Sequence, residues 1–143
     1  MLIYLIGSMR NEHVPNVANT LRDRTDWQVF DDWHCVGPEA DDYWQQYERD
    51  RGRHYREALY GPHATNVFNF DKAWLEKADA VCLIAPAGKS AHLELGWSAG
   101  QGKRTYVLFD EEPPRFDIMY QFCTNIFFDV EELIKELSKD GGQ

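Results

Sequence analysis

The sequence predicts a single α/β domain built on a parallel sheet with helices on both faces. Three observations carry this. The runs Leu2–Ile6, Ala80–Ala85 and Arg104–Phe109 are almost wholly apolar and lack the alternation of a strand with one wet face, as buried parallel strands do. Segments of helical spacing lie between these runs, the strand–helix alternation of a sheet wound on both sides. The chain has 143 residues, 43 % of them hydrophobic, which suits one packed core.

Each element has its own signal. Leu2–Ile6 is the first strand and stops at Gly7-Ser8, where the chain turns. Residues 13–24 place Val14, Val17, Ala18 and Leu21 on one helical face. Gln28–Phe30 is a short second strand, halted by Asp31-Asp32-Trp33-His34, and Gly37-Pro38 marks a loop. From Asp41 to Leu59 the chain is polar and aromatic, with Tyr43, Trp44, Tyr47 and Tyr55 among charges, and reads as a helix ended by Gly61-Pro62. Asp71–Lys77 reads as a short helix leading into Ala80–Ala85, the strongest strand signal. Pro86-Ala87-Gly88 turns the chain into a helix over 90–101, where Ala91, Leu95 and Ala99 recur every four positions and Gly100-Gln101-Gly102 closes the end. A strand over 104–109, a loop from Glu112, a short helix near 117–122, a strand over 126–128 and an amphipathic helix over 131–137 complete the chain. The domain is expected to span residues 1–138, with 139–143 a loose tail.

The net charge of −9 opposes binding to a polynucleotide. The one basic cluster, Arg49 to Arg56, is diluted by Asp50 and Glu57 and reads as a solvated helix face; a small anionic ligand remains compatible with it. Cys35, Cys82 and Cys123 are odd in number, with no CxxC or Cys/His pattern, so neither a metal nor a cofactor is expected, and Cys82 reads as core. The apolar N-terminus is short and lacks a basic flank, so it reads as a strand rather than a signal peptide. No stretch approaches the roughly 20 apolar residues of a membrane span. A soluble, cytoplasmic protein is expected.

Ligands of open α/β sheets bind outside the carboxyl ends of the strands. Gly7–Arg10, Asp31–His34 and Pro86–Glu94 each follow a strand and are expected to converge on that rim. In Gly7-Ser8-Met9-Arg10, a glycine after a buried strand frees backbone N–H groups for an anion or hydroxyl, although an ordinary strand–helix turn looks the same. Glu94 falls in the first turns of its helix. A solvent-exposed glutamate is the competing reading, countered by Gly96 and Ala99, which let the helix lie close to the sheet, and by Ser90 and His92 near the same opening. Asp71 and Asp79 are each candidates to pair with Glu94 as unlike carboxylates at a glycosidic bond. Asp79, just before a strand, reads as structural, and Asp71 is the better chemical candidate. Trp33 offers a surface for a nucleobase and Asp32 an acceptor for its edge, although a plain polar turn explains them equally.

The ordered series Tyr4-Leu-Ile-Gly-Ser-Met-Arg10, Asp71-Lys-Ala-Trp-Leu75 with Ala78-Asp79, Glu94-Leu-Gly96 and Gly102-Lys103 resembles the nucleoside 2-deoxyribosyltransferase superfamily, which includes the 2'-deoxynucleoside 5'-monophosphate N-glycosidases. The likeness runs from residue 2 to about residue 137. Phe30-Asp-Asp-Trp33 and the segment Gly37–Trp44 are similar to a bacterial and phage branch of it. The resemblance implies a flavodoxin-like three-layer sandwich with a mainly parallel five-stranded sheet. It further implies that Glu94 is the nucleophile at C1', that Asp71 assists the departing base or holds the sugar, and that the Tyr4 hydroxyl positions Glu94. Gly7, Ser8, Met9 and Arg10 would line the sugar or phosphate side, beside Gly88, Lys89 and Ser90. A dimer or larger assembly is implied, in which a neighbouring subunit completes the pocket through a segment like Asp117-Ile118-Met119. Gly88 and Asp117 stand where the monophosphate hydrolases carry serines. Asp117 disfavours a phosphate, whereas Arg10 and Lys89 favour one. The expected activity is therefore N-glycosidic cleavage of a nucleoside or its monophosphate, by hydrolysis or by transfer to another base. The alternatives are an NAD glycohydrolase of the Toll/interleukin-receptor-like type and a non-catalytic nucleotide-binding sensor.

Overall fold

The computed structural model describes residues 1–141. Its five strands are β1 (Leu2–Ile6), β2 (Gln28–Phe30), β3 (Ala80–Ile84), β4 (Arg104–Leu108) and β5 (Asn125–Phe127). All pair in parallel, in the order β2-β1-β3-β4-β5, the doubly wound order of a flavodoxin-like fold. The main helices are α1 (His13–Arg24), α2 (Ala40–Asp50), α3 (Tyr55–Leu59), α4 (Pro62–Lys77), α5 (Lys89–Gly100) and α6 (Val130–Gly141), with 3-10 turns at Asp32–Val36 and Ile118–Phe122.

Burial on both faces explains the unbroken apolar strands. Ile3, Leu5, Cys82, Ile84 and Tyr106 pack on one side with Val14, Ala18 and Leu21 of α1 and Leu133 and Leu137 of α6. Tyr4, Ile6, Val81, Leu83 and Val107 pack on the other with Leu75 of α4 and Ala91 and Leu95 of α5. Asp79 is structural, as its position suggested: its Oδ2 accepts the Leu2 N–H at 2.8 Å and ties the start of β1 to the start of β3.

Three expectations about the elements are corrected. The helix expected over 41–59 is two helices, because Gly52 takes a positive φ of 72° and the Arg53 guanidinium folds back onto the buried Glu48 carboxylate at 3.0 Å. Gly61-Pro62 does not end a helix but begins one: Gly61 is the N-cap of the 16-residue α4 and Pro62 its first residue, where a missing N–H costs nothing. Asp71 therefore lies well inside a long helix, not at the head of a short one. The closing helix runs to Gly141, so residues 139–141 extend it rather than forming a loose tail; Gly142 and Gln143 lie outside the described residues. Among the described residues no helix is long and apolar enough to cross a membrane.

Candidate active site

Alternation along β1 turns Tyr4 toward the α4/α5 layer, where it is 1 % exposed. Three elements bring their polar groups together there: Tyr4 from β1, Asp71 from α4 and Glu94 from α5. The Tyr4 hydroxyl donates a hydrogen bond to the Glu94 carboxylate, and Asp71 is close enough to act on both groups through its charge. Burial is the largest influence on Glu94 and pushes its carboxyl up to about 7; the Tyr4 hydrogen bond opposes that rise and the Asp71 charge adds to it. Burial also raises Asp71 above the ordinary carboxylate range. The Tyr4 hydroxyl is driven far upward, first by burial and then by the Glu94 charge, and stays a hydrogen-bond donor.

An aromatic layer backs this cluster. Phe30 lies 4.9 Å from Tyr4, ring centre to ring centre, and stacks on Trp74 of α4 at 4.6 Å with 13° between the planes. Asp71 and Trp74 share a face of α4 one turn apart, so packing Trp74 on Phe30 also turns Asp71 toward the sheet. The sequence pointed to Trp74 only as a helix residue, and nothing in its spacing revealed this layer.

The loops of the rim are built as expected in place, but the carboxylates are set back from them, over β1. Gly7, Ser8 and Met9 are half-buried and Arg10 is exposed, its guanidinium 3.7 Å from Asp42 of α2. Gly7 is required by close approach: a Cβ there would meet Val14 Cγ2 at 3.1 Å and the Ile84 carbonyl oxygen at 3.2 Å. Gly88, Lys89 and Ser90 form the exposed start of α5. Asp32 is exposed in the 3-10 turn after β2. Trp33 is half-buried against both core layers and donates its indole N–H to the Leu5 carbonyl at 2.7 Å. Leu5 has no partner on β2, which ends at Phe30 opposite Tyr4, so the indole stands in for the missing strand.

Asp117 and Met119 lie apart from this cluster, on the far side of α5. The Asp117 carboxylate accepts the Met119 N–H at 2.8 Å and so starts the 3-10 turn. This turn is tied to α5 by His92, whose Nδ1 faces the Gly88 carbonyl at 2.7 Å and whose Nε2 faces the Tyr120 hydroxyl at 2.9 Å. Because a carbonyl only accepts, Nδ1 carries the proton and, in the neutral ring, Nε2 accepts from Tyr120.

Two concavities flank the cluster. One, of about 660 Å³, opens at the rim between Ser8, Arg10, His13 and Asn16 on one side and Pro86, Gly88 and Asp110 on the other. The second, of about 200 Å³, lies between α5 and the 3-10 turn, with His92, Gly96, Asp117, Met119 and Tyr120 in its wall. Of the expected binding residues, Ser8, Arg10 and Gly88 line the first and Asp117 and Met119 the second, while Tyr4, Asp71 and Glu94 line neither. Among the described residues no cluster of His, Cys, Asp and Glu is arranged to hold a metal.

No protein-family model matches the chain, and a search of curated proteins finds no match. Solved structures do match. The chain is similar to a 2-deoxyribosyltransferase from the psychrotolerant bacterium Bacillus psychrosaccharolyticus, with a TM-score of 0.62 and 20 % identity over 94 % of this chain and 90 % of that one. It is also similar to the CMP N-glycosidase BcmB of Clostridium botulinum, with a TM-score of 0.54 and 15 % identity over 97 % of this chain and 98 % of that one. At such identities the likeness is one of fold, and it spans nearly the full length of each partner.

Proposed function

We propose that this chain cleaves the N-glycosidic bond of a nucleoside or nucleoside 5'-monophosphate through Glu94. The observation that carries the reading is the convergence of Tyr4, Asp71 and Glu94, from three separate elements, on one half-buried carboxylate whose pKa lies near neutrality. The shared fold with a deoxyribosyltransferase and a CMP N-glycosidase supports the same class of substrate.

In the proposed reaction the ionised Glu94 oxygen bonds to C1' while the C1'–N bond breaks and its electron pair passes to the base. Asp71, whose burial favours the protonated form, supplies a proton to the departing base or a hydrogen bond to the sugar. Tyr4 holds the attacking oxygen in line and stabilises it as an anion. The glycosyl ester is then opened at C1' by water, giving hydrolysis, or by the nitrogen of a second base, giving transfer, and Glu94 leaves as carboxylate. Glu94 at about 7 is ionised in a large fraction of molecules at neutral pH and is still a good leaving group.

Ser8, Met9, Arg10, Lys89 and Ser90 are assigned to the sugar and its 5' group. Asp32 and Trp33 are assigned to the base. Phe116, Ile118, Met119 and Phe122 are exposed, which supports a second copy of the chain seating on this segment in a dimer or larger assembly.

The test is a panel of nucleosides, monophosphates and NAD, scored by liberated base with and without a second free base. Base release by the parent and none by Glu94→Ala is expected, with a glycosyl adduct on the Glu94 peptide by mass spectrometry. Full activity in Glu94→Ala overturns the assignment, and release of nicotinamide alone moves the substrate class to NAD.

A further inference from the structure

Asn11 is buried, at 7 % exposed, and sits where three loops of the rim meet. Its Nδ2 group donates to the Ile84 carbonyl and to the Pro86 carbonyl, both at 3.4 Å. Its Oδ1 accepts the His13 N–H at 2.9 Å, at the start of α1. Its backbone N–H donates to the Ser8 carbonyl at 3.0 Å, and its own carbonyl faces the His34 ring Nε2 at 3.2 Å. One residue thus joins the loop after β1, the turn after β2 and the loop after β3.

The sheet explains why an amide is needed. Ile84 pairs with Leu108 on β4 but has no partner on β1, which ends at Ile6 opposite Leu83. Its carbonyl faces the turn at Gly7, and a buried carbonyl without a donor costs about 1–3 kcal/mol. Only a side chain with two donors on one end and an acceptor on the other satisfies both carbonyls and the α1 N–H together; asparagine is the shortest that does. The carbonyls so held are those of the last residue of β3 and of Pro86 in the loop that leads directly into α5 and Glu94, while the loop at the other end of the bond carries Ser8 and Arg10.

We infer that Asn11 is a positioning residue of the site: it fixes the separation between Ser8–Arg10 and the start of α5, and with it the reach of Glu94 to a bound sugar. The inference rests on the glycosidase reading for its kinetic consequence and on the hydrogen bonds alone for its structural one. Asn11→Ser isolates the cross-loop bonds, because a serine hydroxyl still accepts the His13 N–H two residues on but is too short to reach Ile84 or Pro86. Asn11→Ala removes both.

The experiment combines hydrogen exchange with base-release kinetics on the full chain. In both variants exchange over residues 85–92 is expected to rise about tenfold or more, with β4 unchanged, whereas the α1 start loosens further only in Asn11→Ala. The expected kinetics are a KM raised about tenfold with a smaller fall in kcat, as for lost ground-state positioning. Unchanged exchange over 85–92 overturns the inference, as does raised exchange with unchanged KM and kcat. No base release by the parent chain overturns the glycosidase reading instead, and leaves the exchange to decide whether Asn11 clamps the loops.

Discussion

The Tyr4 hydroxyl donates a hydrogen bond to the Glu94 carboxylate across the α5–sheet interface. Tyr4 is held by its strand and Glu94 by its helix, so the bond needs no ordering of mobile side chains at the moment of reaction. It also opposes the two influences that disfavour the Glu94 anion, burial and the charge of Asp71. The balance among these three groups makes the following outcomes measurable.

Glu94→Gln is expected to remove base release and to stabilise the fold at neutral pH and above. The folded protein holds the Glu94 proton more tightly than the unfolded chain, with a pKa of about 7 against the ordinary glutamate value of 4.5. The parent is therefore at its full stability, as far as this group is concerned, below the lower value, and loses stability as the pH rises to the upper one. At one pKa unit per 1.36 kcal/mol the loss is on the order of 3 kcal/mol. Denaturant melts of parent and variant should coincide near pH 4 and separate by pH 8, the variant being the more stable. Coincidence at both pH values would contradict the buried setting of Glu94.

Tyr4→Phe and Asp71→Asn are expected to move Glu94 in opposite directions. Loss of the hydroxyl removes the group that lowers the Glu94 pKa, so the acid limb of kcat/KM, which follows Glu94 ionisation, shifts to higher pH. Loss of the Asp71 charge removes one that raises it, so the limb shifts to lower pH. Both variants lose rate at the optimum. Shifts in the same direction, or none, would separate these residues from Glu94.

Gly7→Ala probes the packing of the rim from the steric side. The new methyl would lie within 3.2 Å of the Ile84 carbonyl oxygen and 3.1 Å of Val14 Cγ2, and Ile84 belongs to a central strand that cannot yield cheaply. A cost of about 1–3 kcal/mol is expected in equilibrium unfolding. A change under a few tenths would show that the turn has room that the close contacts deny.

Trp33→Phe keeps the ring against both core layers but removes the donor to Leu5. The Leu5 carbonyl, beyond the end of β2, is then left without its partner. A loss of about 1–3 kcal/mol follows from an unsatisfied buried acceptor. If stability is unaffected while base release falls, Trp33 serves the ligand rather than the sheet, and tryptophan fluorescence on nucleoside addition would report it.

Much of the architecture was legible because it depends on local pattern. Unbroken apolar runs in Leu2–Ile6 and Ala80–Ile84 mark strands buried on both faces, and the helical spacing of Val14, Ala18 and Leu21 marks the face of α1 that covers them. Gly61-Pro62 misled because the same pair that stops one helix suits the N-cap and first residue of the next, and only the chain beyond them decides which. Gly52, a lone glycine in a polar stretch, carries the positive φ that splits α2 from α3, a conformation its neighbours do not announce.

The site divides in the same way. Glu94 and Asp71 were legible as candidate carboxylates from residue type and their place after or before a strand, whereas Tyr4 entered only through the family resemblance. Only the tertiary structure decided that Tyr4 bonds Glu94, that Phe30 stacked on Trp74 turns Asp71 inward, that Trp33 completes a strand, and that Asn11 spans to Ile84 and Pro86. The physical reason is distance along the chain. Asn11 and Ile84 are 73 positions apart, and no periodicity encodes which carbonyl a strand leaves unpaired when its neighbour ends. That follows from the register of β1 against β3, which exists only once the sheet has formed.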